Sequence, residues 1–271
     1  MPELPEVEVC RLGITPHILN QKVTDVIVRH KQLRWPIPDE VQSLVGNDVL
    51  SIKRRSKYLM IEFSHGTLLI HLGMSGTIRV IDANTPVAKH DHFDLAFANK
   101  KALRLNDPRR FGAVLWLAEH IDEQGVLAKL GPEPLSDDFT YGYLFQKAKN
   151  RKVPIKTFLM SNPVVVGVGN IYANEALFKA GILPTALAGS LSEKRLNALT
   201  DIIKKVLADA IEQGGTTLKD FIQADGRPGY FAQKLQVYGR AGEKCFTCQE
   251  ILEEVRQANR SSVFCPSCQS E

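Results

Sequence analysis

The chain has 271 residues, 44% of them hydrophobic and 24% charged, with a formal net charge of +4 and a pI near 8.7. These proportions exclude a fibre or a low-complexity polymer and fit a soluble globular protein of one large domain or two ordinary ones. No apolar run reaches the roughly 18 residues of a membrane span, and acids rather than bases follow Met1, so the expectation is a cytoplasmic protein without span or leader. The positive balance permits a polyanionic partner without requiring one.

In chain order, Pro5–Leu19 reads as a single opening helix. Val23–His30, Val49–Phe63, Thr67–Val80, Phe93–Phe97 and Ala113–Leu117 are rich in Val, Ile, Leu and Phe between polar breaks and read as strands. The sequence therefore predicts a β-rich domain with a helix packed on it over residues 1–131. Gly131–Asp138 is turn-rich and opens a linker over 132–150. Helical periodicity then runs through Asn170–Ala180 and Ser192–Gln213, which places a helical domain at 151–235. From Tyr238 the chain becomes rich in glycine and cysteine, marking a small module over 236–271. No internal repeat interrupts this order.

Two basic clusters stand out: Lys53, Arg54, Arg55 and Lys57, then Lys147, Lys149, Arg151, Lys152 and Lys156. Such runs suit nucleic-acid phosphate but are as often plain solvated faces.

Four of the five cysteines form Cys245-x2-Cys248, sixteen residues, then Cys265-x2-Cys268. This is the spacing of a four-cysteine zinc site, in which each short gap aims two thiolates at one metal. One structural Zn2+ is expected, because so short a segment has little core of its own. Two disulfides are the alternative, disfavoured in a reducing compartment. Ile251–Phe264 has room for a hairpin turning near Gln257–Arg260, where Arg260 would be placed for phosphate or merely for water. Cys10, on the first helix, is expected to be a small buried hydrophobe.

Val166-Gly167-Val168-Gly169-Asn170 precedes a helical run. Asn170 is a favourable N-cap, and the exposed amides of such a start favour an anion. A plain glycine turn between packed helices explains the same residues.

The chain begins Met1-Pro2-Glu3-Leu4-Pro5-Glu6. Removal of Met1 would leave Pro2 with a secondary amine, roughly a tenth or more of it neutral at pH 7 on α-amino reference values, where lysine is almost wholly protonated. Such an amine can attack a sugar C1′ to give a cationic iminium, with Glu3 beside it as general acid and base and Glu6 one turn further on. Pro and Glu are also ordinary residues at a helix start.

These segments together resemble the formamidopyrimidine-DNA glycosylase family, bacterial enzymes that remove 8-oxoguanine and formamidopyrimidines from DNA. The resemblance runs the length of the chain: MPELPEVE at the start, RRSKYL at 54–59, HLGMSG at 71–76, DPRRFG at 107–112, GVGNIYANEAL at 167–177 and the cysteine finger. It implies an α+β multidomain protein: an N-terminal β-sandwich with a flanking helix, a helix-two-turn-helix domain and a C-terminal four-cysteine zinc finger, with damaged double-stranded DNA held between the domains of a monomer. Localisation would then be cytoplasmic and at the nucleoid.

By this resemblance Pro2 is the Schiff-base nucleophile, Glu3 the catalytic acid and base, and Lys57 a lysine that contacts phosphate and serves elimination. Arg260 holds phosphate and assists δ-elimination. His71 and Asn170 match phosphate contacts, with His90, Arg109 and Arg151 as further DNA contacts. Met74, Arg109 and Phe111 match the wedge that fills the stack when the nucleotide is extruded. Without the family, Met74 and Phe111 would read as core. Leu218–Tyr230, with Gly226, Pro228 and Gly229, corresponds to the loop that closes over the flipped base. Arg256–Ser262 departs from relatives with a glycine-containing turn. A sister enzyme resembling endonuclease VIII is disfavoured because its start is PEGPE. A non-catalytic DNA-binding zinc protein would have no use for Pro2-Glu3, and an RNA-associated basic protein does not explain the wedge.

Overall fold

The opening helix, α1 (Leu4–Ile18), forms because Leu4, Val7, Cys10, Ile14 and Ile18 recur at three- and four-residue spacing and all are buried. Burying a side chain of the size of Ile14 contributes about 1.5–3 kcal/mol. Asn20, at φ +60°, turns the chain out of the helix. The computed structural model describes residues 2–118, 125–215 and 234–271. It divides into two units, Met1–Ala128 with Gln213–Ala232, and Lys129–Glu212 with Gln233–Glu271.

The first unit continues through β1 (Val23–Val28), β2 (Ser51–Arg55), β3 (Tyr58–Phe63), β4 (Gly66–His71), β5 (Thr77–Asp82), β6 (Asp91–Phe97), β7 (Lys101–Asn106) and β8 (Ala113–Leu117). The strands form two four-stranded antiparallel sheets, ordered β1-β6-β7-β5 and β2-β3-β4-β8. Val26, Leu95 and Leu103 of one sheet and Ile52, Leu59 and Ile70 of the other share a single core with Val7 and Ile14 of α1. This is the expected sandwich with its flanking helix.

Two expected strands each prove to be two: Val49–Phe63 is the β2–β3 hairpin, while Thr67–Val80 divides into β4 of one sheet and β5 of the other. Val49–Phe63 is broken at Ser56-Lys57, where Arg55 pairs with Tyr58 and Ser56 sits at φ +56°. Thr67–Val80 is broken by a loop at 72–76. In both the apolar pattern runs on across a short turn, so periodicity alone does not expose the break.

Strand β7 was not expected; its Leu103 and Leu105 face the shared core, and Arg104 between them is buried on the opposite face of the sheet. Arg104 is 2% exposed and reaches Asp94 with Nε–Oδ1 at 2.9 Å and Nη2–Oδ2 at 2.7 Å, and Asp91 at 3.3 Å. Arg29 also donates to Asp94, at 2.6 Å. Burial raises the Asp94 pKa, but the two arginines outweigh it and hold the carboxyl below its ordinary value. That contribution to stability is present above the unfolded carboxyl value and is lost as pH falls through the lower folded one. Arg104→Ala would leave Asp94 with Arg29 alone and Asp91 with Arg79, Asn106 and the Ala88 amide, and we expect a loss of about 1–3 kcal/mol in urea denaturation at neutral pH; no measurable loss would show that the pair is not needed.

The second unit holds α2 (Tyr141–Ala148), α3 (Ile155–Leu159), α4 (Asn170–Lys179), α5 (Glu193–Glu212) and the hairpin β9 (Glu253–Gln257) and β10 (Arg260–Phe264). Residues 132–150, expected to link domains, include α2, whose start is capped by Thr140 Oγ1 accepting from Tyr143 N at 3.3 Å. Leu144 and Ala148 of α2 are buried, as are Leu196, Ile203 and Leu207 of α5. Among the described residues, no helix is long and apolar enough to cross a membrane.

Candidate active site and nucleic-acid interface

In the first unit Pro2 is buried and Glu3 is 1% exposed, both at the start of α1. Glu3 N donates to Glu6 Oε2 at 2.8 Å, so the first turn is closed by its own acid. Gly215, at φ +76°, packs against Glu6: a Cβ there would lie 3.2 Å from Glu6 Oε1. The positive φ favours glycine, and a Cβ there would also press on the Glu6 side chain.

Lys57 sits at the tip of the two-residue turn between β2 and β3. Arg54 Nη1 donates to Ser56 O at 2.9 Å, while its Nε meets Glu8 Oε2 at 3.0 Å. Glu8 is also bound by Arg11 Nη2 at 2.6 Å. Burial raises the Glu8 pKa, but Arg11 and Arg54 overcome it and keep the carboxyl lower than usual. One carboxylate on α1 thus ties the helix carrying Glu3 to the turn carrying Lys57. Lys53 pairs with Glu62 at 2.8 Å, so two members of the first basic cluster hold acids of the fold.

His71 ends β4, its ring 4.9 Å from that of Tyr58. Burial pushes its pKa down to about 4, with Lys57 and Arg34 pushing the same way against Asp107. Gly73 N donates to His71 Nδ1 at 3.0 Å, so that nitrogen is an acceptor and the neutral ring carries its proton on Nε2. His90 is half-buried, at φ +74°, with its ring 6.2 Å from that of His92.

Met74 and Phe111 are 39% and 45% exposed, which removes them from the core. The Arg109 guanidinium lies 4.7 Å from the centre of the Phe111 ring. The two loops that carry them touch: a Cβ on Gly73, at φ +63°, would come within 2.4 Å of the Phe111 carbonyl carbon.

In the second unit the helix start differs in detail from expectation. Gly169 occupies the N-cap of α4 and Asn170 is its first helical residue, without a side-chain cap bond. Asn170 Oδ1 is buried with no hydrogen-bond partner among the described residues. Arg151 is exposed, its Nε donating to Lys147 O at 3.3 Å. Arg260 is exposed beside the turn Ala258-Asn259, whose φ values of +46° and +60° give the tight hairpin its twist.

Three supporting residues carried no signal that the sequence reading used. Lys156, grouped with the basic cluster, is 1% exposed and donates to Ser261 O and, at 2.8 Å, to Ser262 Oγ. Asn174 Oδ1 accepts from Val263 N at 2.9 Å, and its Nδ2 donates to Asn170 O at 2.6 Å. Together they fasten the strand that follows Arg260 to α3 and α4. Glu175, also buried, accepts the amides of Gln236, Val237 and Tyr238 at 2.8, 3.0 and 2.9 Å.

The sulfurs of Cys245, Cys248, Cys265 and Cys268 lie within 4.8 Å of one another. The Cys248–Cys265 and Cys245–Cys268 separations are 3.4 and 4.0 Å, too long for disulfides. Tetrahedral zinc with sulfur at about 2.3 Å needs sulfurs about 3.8 Å apart, which these bracket. Cys10 is buried and free, and burial raises its thiol pKa to about 12.

Residues 1–114 match the model of the formamidopyrimidine-DNA glycosylase N-terminal domain, 130–222 that of its H2TH domain, and 242–270 that of the zinc finger found in FPG and IleRS. A curated protein of Colwellia psychrerythraea, formamidopyrimidine-DNA glycosylase, is 75% identical over 271 residues, all of both chains. The chain belongs to the formamidopyrimidine-DNA glycosylase family. Among solved structures, a variant of the Lactococcus lactis family member in complex with Fapy-dG-containing DNA superimposes with a TM-score of 0.91 at 33% identity, covering 100% of each chain. MutM in complex with DNA containing carbocyclic 8-oxo-G gives 0.90 at 33% identity, again over 100% of each chain.

Family membership accounts for the zinc-finger spacing, and the four cysteines hold one structural zinc. Pro2, Glu3, Lys57, His71, Met74, His90, Arg109 and Phe111 lie in the first unit, and Arg151, Asn170 and Arg260 in the second. The stretch Leu218–Tyr230, singled out as a loop over the flipped base, lies outside the described residues.

Proposed function

We propose that the chain is a bifunctional DNA glycosylase and AP lyase of base excision repair, removing 8-oxoguanine and formamidopyrimidines from duplex DNA. Full-length identity of 75% to a formamidopyrimidine-DNA glycosylase, with this chain's Pro2-Glu3 at the buried start of α1, carries this reading. After removal of Met1, the neutral Pro2 nitrogen attacks C1′ as the glycosidic bond breaks and the base leaves with a proton; the nitrogen then gives up its own proton, and the C1′–O4′ bond opens with protonation of O4′ to give the iminium. The resulting iminium acidifies C2′; loss of that proton expels the 3′ phosphate, and a second elimination expels the 5′ phosphate. Glu3 moves protons at the sugar, and Lys57 and Arg260 hold the departing phosphates. Cys245, Cys248, Cys265 and Cys268 would hold the zinc, which would crosslink the base of the hairpin that carries Arg260. Met74, Arg109 and Phe111 occupy the space the nucleotide vacates, and His71, His90, Arg151 and Asn170 hold the backbone. The partner is damaged duplex DNA, bound by a monomer in the cytoplasm at the nucleoid.

Borohydride added during reaction with a duplex carrying 8-oxoguanine opposite cytosine should trap the iminium, and peptide mapping should place the crosslink on Pro2. A crosslink found only on lysine would sink the assignment.

Because His71 is a neutral donor, its titration should leave DNA affinity unchanged between pH 8 and about 5. An imidazolium contact would instead strengthen on acidification. The comparison is made by anisotropy of wild type and His71→Gln on one duplex, and a pH slope lost with the imidazole would refute the neutral form. Stability follows a different sign: the unfolded ring binds its proton near pH 6.5. His71 therefore costs folding free energy as pH falls from there toward about 4, below which the loss levels off.

A further inference from the structure

We infer that Asp107 is the positioning residue that sets the wedge, one buried carboxylate holding both wedge loops in register; this rests on the function proposed above. Asp107 is 0% exposed. Its Oδ1 accepts from Ser75 Oγ at 3.0 Å and from Arg109 N at 3.3 Å, and its Oδ2 accepts from Gly112 N at 2.8 Å.

The placement of these three donors is what separates Asp107 from an ordinary turn aspartate. Ser75 follows Met74, Arg109 is itself a wedge residue, and Gly112 follows Phe111. Each bond is therefore at, or one residue from, a side chain that has to enter the stack. The backbone of Asp107 is held as well: its amide donates to His90 O at 3.0 Å, and its carbonyl accepts from Arg110 N at 3.2 Å and from His92 Nε2 at 2.9 Å. The loops are also closely packed at their glycines. A Cβ on Gly112 would lie 3.0 Å from Asp107 Oδ2 and 2.7 Å from His71 O, and one on Gly76 would lie 2.3 Å from Leu72 O.

A carboxylate is suited to this task because it accepts from several donors at once and offers none. Asparagine keeps acceptors for part of the set and turns an NH2 toward the rest; alanine keeps nothing. Wedge geometry should therefore degrade in the order Ser75→Ala, Asp107→Asn, Asp107→Ala. A misplacement of about 1 Å in a positioned group is enough to cost up to about 100-fold in rate.

The zinc-loaded full chain and the three variants are compared in three assays. These are excision of 8-oxoguanine opposite cytosine and opposite adenine, cleavage of a pre-formed abasic site, and fluorescence of 2-aminopurine beside an abasic analogue, which reports opening of the stack without chemistry. We expect Asp107→Ala to lower the cytosine-over-adenine preference by about tenfold, the scale of one good base contact. The 2-aminopurine signal should shrink in the same order of variants, and abasic-site cleavage should fall by less than 8-oxoguanine excision does, because no base has to be extruded there. Preference and fluorescence unchanged in Asp107→Ala would overturn the inference. So would a parallel fall of every activity with Tm, which would make the carboxylate a support of the fold alone. Wild-type protein inert on 8-oxoguanine, with fluorescence still graded by the Asp107 variants, would overturn the substrate reading and uphold the positioning role.

Discussion

Glu3→Gln should lower excision of 8-oxoguanine by about 10²–10⁴-fold, the usual contribution of a positioned general acid and base, while leaving affinity for damaged duplex within a few fold. Glu3 is 1% exposed at a helix start whose amide is already bonded to Glu6, so the amide side chain fits without rearranging the turn. Pro2→Gly keeps an amine but makes it primary and loosely held, and should abolish the borohydride-trapped complex or reduce it to a trace. Single-turnover excision and a filter-binding titration on the same preparations separate chemistry from binding. Wild-type excision by Glu3→Gln would remove it from the mechanism. Equal loss of binding and chemistry would assign it to DNA recognition.

The second large effect is expected at the metal. Cys248→Ser leaves three thiolates where the spacing provides four, and the module over 236–271 has few apolar residues to fall back on: Val237, Leu252 and Val263 with the buried Cys245 and Cys265. Structural zinc in small fingers is bound with about 10–16 kcal/mol, so folding and metal are lost together. Atomic emission should fall from one zinc per chain to nearly none, and the products at an abasic site should shift from β,δ- to β-elimination as Arg260 is no longer presented. Full metal content, or an unchanged product ratio in the metal-free protein, would contradict this role of the finger.

The sequence disclosed most where one residue type admits one use. Paired Cys-x2-Cys gaps and the run of buried positions in α1 are of that kind, and the structure agrees with both. It disclosed least where burial rather than identity decides the role. Lys156 reads as one more cation of a basic run, yet it is sealed against the strand following Arg260. Met74 and Phe111 read as core by composition and stand exposed, so their assignment came from family resemblance alone. Strand β7 is short and half polar, Lys101-Ala102-Leu103-Arg104-Leu105-Asn106, and the acids of β6 with the Thr85 and Pro86 carbonyls make its buried charge tolerable. Asn170 was expected as a cap, but the preceding glycine takes that position and leaves the asparagine oxygen without a partner among the described residues.

The Arg104–Asp94 pair has a consequence for accuracy as well as for strength. The two residues are direct partners across β6 and β7. A slip of one residue would turn every side chain of β7 to the opposite face, moving Arg104 away from its acids. The alternation of apolar residues penalises that slip by turning the buried Leu103 and Leu105 out of the core. A charge that fits at one alignment penalises it heavily. Since the segment Asp107–Phe111 leaves directly from the end of β7, each residue of slip would carry it about 3.4 Å along the sheet. The buried arginine thus works as a vernier, transferring the alignment of a strand to the tip of the loop that carries Arg109 and Phe111.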